Sequence, residues 1–110
     1  MKKLIPLEEN KNANFIKLEV YYNLGGYNCF THKTEARGFY LSASPVQHFT
    51  RDGIAFESYT AFTGAKLLLL EVSRKSKKAE AEAERIAEEK EAELIKYVCF
   101  NNNLEVLQNA

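Results

Sequence analysis

Two soft metal ligands stand close together in the run NCFTH, where Cys29 and His32 are three residues apart, and two more, His48 and Cys99, lie far along the chain. Two thiolates and two imidazoles are a set that zinc takes in tetrahedral geometry. Structural zinc sites usually bring their ligands in close pairs, and only one pair here is close. A small structural cysteine beside a turn histidine is the stronger reading, so no metal is expected. Cys29 as a nucleophile, with His32 or His48 as its base, lacks a third group to orient the base and a glycine-built oxyanion loop. The run FTGAKL has Gly64 and Lys66 without the spacing of a phosphate loop, and Gly25-Gly26 falls at a strand turn rather than between a strand and a helix. Glu35, Asp52 and Glu57 have no spacing that gathers them in a cleft. The chain reads as a non-enzyme, with no catalytic residues and no cofactor.

Rings and cations remain as the chemistry on offer. Residues 23–46, NLGGYNCFTHKTEARGFYLSASPV, hold Tyr27, Phe30, Phe39 and Tyr40 around Gly25-Gly26 and Arg37-Gly38. If one helix covers one face of a sheet, alternation leaves Lys17, Tyr21, Tyr40, Ser42 and Ser44 on the other, with Arg37 nearby and Tyr27 and Phe30 free to turn outward. Aromatic rings beside Lys or Arg on an open sheet can stack single-stranded nucleic acid and neutralise its phosphates. Cross-strand tyrosine pairs also stabilise ordinary antiparallel sheets without binding anything.

The elements that must position these residues follow from periodicity. In FIKLEVYY, residues 15–22, Ile16, Leu18, Val20 and Tyr22 point one way and Phe15, Lys17, Glu19 and Tyr21 the other, which is a strand with one wet face. Gly25-Gly26 then predicts a tight turn, with YNCFT as the returning strand of a hairpin. HKTEARG predicts a polar turn closing at Gly38. FYLSASPV alternates again, with Phe39, Leu41 and Ala43 on the core side, and Pro45 ends that strand or lies on an edge. Gln47 to Gly53 reads as a loop and IAFESYTAFTG as an irregular strand or a loop with a short strand. The four leucines of AKLLLLEV predict a strand covered on both faces and central in the sheet. From Ser76, a plausible N-cap with Glu80 in the first turn, strong helix formers run on. Their apolar stripe of Ala79, Ala83, Ile86, Ala87, Leu94, Ile95 and Val98 is narrow and is interrupted at Lys90.

The expectation is therefore one α+β domain over residues 1–110: a mainly antiparallel sheet of four to five strands within 15–72, one long C-terminal α-helix over about 75–98, and a flexible N-terminal segment and C-terminal tail. The net charge is zero, yet residues 1–78 carry 12 basic against 7 acidic side chains and residues 79–110 carry 3 against 8, a split of +5 and −5. An acidic helix lying against a basic body accounts for this more simply than a basic face awaiting an anionic partner. No run approaches the roughly 18 apolar residues of a membrane span, and MKKLIPLEENKN has no apolar middle of a signal peptide. A cytoplasmic protein with free, partly buried thiols at Cys29 and Cys99 and no membrane partner is expected.

In their order along the chain, GGYNCFT, RGFYLSASPV, SYTAFTGAK and SRKSKKAEAEAE resemble small uncharacterised proteins of bacteriophages and mobile elements of gut Bacteroidetes-like bacteria, over roughly residues 17–85. The resemblance implies a small accessory protein that binds host or viral components, and it brings no site residues with it. The expected function is a non-catalytic binding or assembly module working through protein contacts, with single-stranded nucleic-acid binding as the alternative. Because the helix offers little apolar area, a homodimer with Ala79, Ala83, Ile86 and Leu94 along or near the interface is expected, against a monomer whose helix folds back on its own sheet.

Overall fold

A computed structural model describes residues 1–8 and 12–107. The strands are β1 (Lys2–Pro6), β2 (Phe15–Asn23), β3 (Gly26–Asn28), β4 (Lys33–Glu35), β5 (Gly38–Arg51), β6 (Ile54–Tyr59) and β7 (Ala65–Glu71), followed by helix α1 (Lys77–Asn102). Five of the strands form one antiparallel sheet in which β5 is the hub. It pairs β2 on one side and both β7 and β6 elsewhere along its length, while β1 pairs β2; β3 and β4 form a separate two-stranded ribbon. The α+β expectation holds.

Register explains why β5 is the hub. Val20 pairs with Leu41, Leu18 with Ala43 and Ile16 with Pro45, so the apolar sides of two alternating strands coincide and are covered together by α1. Ile16, Leu18, Phe39, Leu41 and Val46 are fully buried. The ribbon is a correction: YNCFT does not return along β2, because pairing Phe39 and Leu41 with Tyr22 and Val20 buries more apolar surface than Asn28 and Cys29 could. Gly25, at φ +76°, makes the exit from β2, and its N–H donates to Asn23 Oδ1 at 2.8 Å. Gly38 is needed for a different reason: a Cβ there would stand 2.2 Å from the Leu70 carbonyl oxygen of β7.

Several other expectations are revised. Pro45 does not end its strand, and β5 continues to Arg51, so most of Gln47 to Gly53 is strand and only Asp52-Gly53 remains as the turn into β6. On the β2 side of this extension Asn14 substitutes for a strand, its side chain bonding both the N–H and the C=O of His48. The N-terminal segment, expected to be flexible, forms β1: Ile5 reaches the core and Lys3 meets Glu91 of α1 at 2.7 Å. The tail is held too, with Leu104 buried, Val106 bridging Leu7 and the Leu107 N–H donating to the Pro6 carbonyl. Residues 9–11 and 108–110, also within the segments expected to be flexible, lie outside the described residues.

Ser76 caps α1 as its sequence implied, its hydroxyl accepting the Ala79 N–H at 3.1 Å. The helix runs four residues beyond the expected end and stops where Asn103 adopts φ 54°. It packs against its own sheet, on β2, β5 and β7. Ala83, Ala87, Leu94 and Val98 form the buried stripe. The gap at Lys90 is filled one residue later, where half-buried Glu91 accepts Lys3. Among the described residues no helix is long and apolar enough to cross a membrane.

Candidate functional site

On the sheet face away from α1, Lys17 pairs with Ser44, Glu19 with Ser42 and Tyr21 with Tyr40. The sequence-derived set Lys17, Tyr21, Tyr40, Ser42 and Ser44 therefore does share one face, and the Tyr21 and Tyr40 rings stack at 5.8 Å. This face is neither open nor basic. Tyr40 is 6% exposed, with its hydroxyl donating to the Ala36 carbonyl and Lys66 Nζ 5.5 Å over its ring. Lys66 is in turn ion-paired to Glu35, which also accepts Asn23 and Asn28 and thereby pins the ribbon against the sheet. Lys17 contacts Glu57 at 2.8 Å and Glu19 at 3.9 Å, and Lys2 lies 4.0 Å from Glu19. Three lysines thus meet three carboxylates. Arg37 stands exposed, its Nε donating to the Leu24 carbonyl.

The charges respond to this pairing. Lys66, with help from Asn28 and Asn23, holds the Glu35 carboxyl below its ordinary range, and Lys17 does the same for Glu57. Burial pushes the Tyr21 hydroxyl and the Cys99 thiol up. These shifts follow from ion pairing at Glu35 and Glu57 and from burial at Tyr21 and Cys99.

The soft ligands are dispersed. Cys29, expected to be partly buried, is exposed near the ribbon turn, where His32 sits at φ 57° and its Nδ1 lies 3.1 Å from the Tyr27 hydroxyl. Cys99 is buried on the inner side of α1, and His48 of β5 packs edge-on against Phe15 of β2. Among the described residues no three His, Cys, Asp or Glu side chains come together as a metal-binding group.

The surface that sequence reasoning missed lies on β7. Its leucines were expected in a central strand, but β7 pairs β5 alone and forms an edge of the sheet, leaving Leu67 and Leu68 each 38% exposed. A bulge opposite Phe39 and Tyr40, where Leu69 is the extra residue, disrupts the alternation that would have betrayed a one-sided strand. Between β7 and α1 runs an open groove lined by Leu67, Leu69, Ile86, Lys90, Leu94 and Tyr97. Tyr97 and Phe100 are exposed on the C-terminal half of α1, Phe100 at 83%. Of the residues expected at a dimer interface, Ala83 and Leu94 are buried against the chain's own sheet and are not available on the surface, while Ala79 and Ile86 are half-buried. The narrow stripe suffices for this packing because alanine lets helix and sheet approach closely. Comparison with protein-family models, with curated proteins and with solved structures finds no match.

Proposed function

We propose that this protein is a non-catalytic binding or assembly module of the cytoplasm that works through protein–protein contacts. The observation that carries this reading is the exposed apolar surface: Leu67, Leu68 and Tyr97 along the groove between β7 and α1, and Phe100 farther along α1 on the side of Ile5 and Val106. Large apolar side chains left exposed on a small domain mark interaction sites, with tyrosine and phenylalanine the favoured anchors. The resemblance to small accessory proteins of phages and mobile elements agrees with it.

Single-stranded nucleic-acid binding through Lys17, Tyr21, Arg37, Tyr40, Ser42 and Ser44 is the weaker reading. A stacking platform needs accessible rings and unneutralised cations, whereas Tyr40 is covered and Lys17 and Lys66 already face carboxylates. Two experiments decide between these readings. Fluorescence anisotropy with short single-stranded oligonucleotides at low and moderate salt is expected to show no binding; binding that falls steeply with salt would reverse the assignment. Affinity isolation from cells that express the protein natively is expected to retain a protein that is lost with the Tyr97→Glu/Phe100→Glu variant, and retention indifferent to that variant would contradict the proposed surface.

A further inference from the structure

We infer that the free edge of β7 takes the β7 of a second copy of this chain, antiparallel, so that two five-stranded sheets join into one and two α1 helices lie side by side across the junction. The inference rests on the protein-contact reading above and names its partner. A seven-residue edge strand with four consecutive leucines and no cover beyond β5 presents unpaired backbone groups that only another strand satisfies along their length.

Three features select a second copy as that strand. The first is the second layer: α1 packs chiefly over β5 and β7, so adding a copy of β7 at the usual strand spacing of about 4.8 Å sets the two helix axes roughly 10 Å apart, which is helix-packing distance. A bare foreign strand would leave the groove between β7 and α1 open on its far side. A copy closes it with its own helix, bringing Leu67, Ile86 and Tyr97 of each chain to a shared seam. The second is charge. Lys90 and Glu93 line this groove with opposite signs, and neither has an ion-pair partner among the described residues. A twofold axis reverses the helix direction, so Lys90 of one copy faces Glu93 of the other twice over. The third is on β7 itself. Lys66 and Glu71, paired with Ser42 and Gly38 of β5, occupy opposite ends of one face of the strand; Lys66 is already ion-paired to Glu35, and antiparallel association brings it a second carboxylate, Glu71 of the other chain.

Size-exclusion chromatography with light scattering on the full chain, across a dilution series down from tens of micromolar, tests this. The expected mass is twice 12.6 kDa at the upper end. Leu68→Lys, which places two cations near the twofold axis at an already exposed position, is expected to weaken the dimer by about 100-fold or more while leaving the circular dichroism spectrum unchanged. If that variant misfolds, the helix surface gives the same test. Lys90→Glu is expected to weaken the dimer about tenfold, and Lys90→Glu/Glu93→Lys to restore it. A mass of 12.6 kDa at every concentration overturns the inference, as does a dimer indifferent to Leu68→Lys or a charge-swapped pair that fails to recover. A monomer that still captures a Tyr97- and Phe100-dependent protein would overturn self-association alone and leave the binding-module reading standing.

Discussion

Two of the sheet's edge strands, β1 and β7, are finished differently. β1 is five residues long, carries Lys2, Lys3 and Pro6, and has the chain's own tail along its end, where Glu8 N–H donates to the Glu105 carbonyl and Leu107 N–H to the Pro6 carbonyl. Its start is fixed as well, since the Met1 amino group pairs with Glu84 and Lys3 with Glu91. Short length, charge, proline and a covering segment are the usual means of closing an edge. β7 has two more residues and four leucines, and apart from Lys66, Glu71 and one bulge it carries none of these protections. One domain thus contains a closed edge and an open one, and the open one lies beside the exposed end of α1.

The largest expected effect comes from uncovering the closed edge. Leu104 anchors the tail over β1, and Leu104→Ala should cost about 2–4 kcal/mol of unfolding free energy in urea titration, the range for emptying a buried leucine site. It should also raise aggregation, because β1 then loses its cover. Next in size is Gly38→Ala, whose methyl group would press into the Leu70 carbonyl 2.2 Å away. Pushing β7 off β5 should cost about 1–3 kcal/mol, and it should perturb the β7 amide resonances more than those of β1.

A smaller effect is expected at Lys3→Met. The ion pair with Glu91 is partly exposed and contributes on the order of 1 kcal/mol or less, so a thermal melt should shift by only a few degrees. The smallest is the effect of pH on the link between ribbon and β7. Glu35 has its carboxyl lowered by Lys66, Asn28 and Asn23. A carboxyl depressed on folding stabilises the protein above its unfolded value, 4.5 here, and that contribution is lost as pH falls through the lower folded value. The β3 and β4 resonances should therefore titrate together in that acid window before the core amides move. Glu35→Gln should remove the step.

Much of this contrast was hidden in the sequence for physical reasons. The alternation in FIKLEVYY and FYLSASPV was legible, as were Ser76 as a cap and the shared face of Lys17, Tyr21, Tyr40, Ser42 and Ser44, because each is a local property of spacing. Which strand pairs with which is not local. Gly25-Gly26 promised a hairpin with β2, but register with β5 buries Val20 and Leu41 together and the glycines serve a ribbon instead. Lys2 and Lys3 concealed β1, since Lys3 sits on the helix side only because Glu91 receives it. That same carboxylate explains the gap in the helix stripe. The leucines of β7 misled most: a run of apolar residues reads alike in a central strand and in an edge whose alternation is shifted by a bulge, and only the tertiary arrangement separates them. The face chosen for binding was placed correctly, yet Glu19, Glu35 and Glu57 neutralise it from positions that no spacing rule connects.

The contrast between the edges is tested most directly by amide hydrogen exchange on the full chain at low and high protein concentration. The amides of β7 that point away from β5 should exchange quickly when dilute and become protected as concentration rises, while β1 amides keep the same protection at both. Concentration-independent exchange along β7, or protection that grows along β1 instead, would contradict the assignment of β7 as the open, assembling edge.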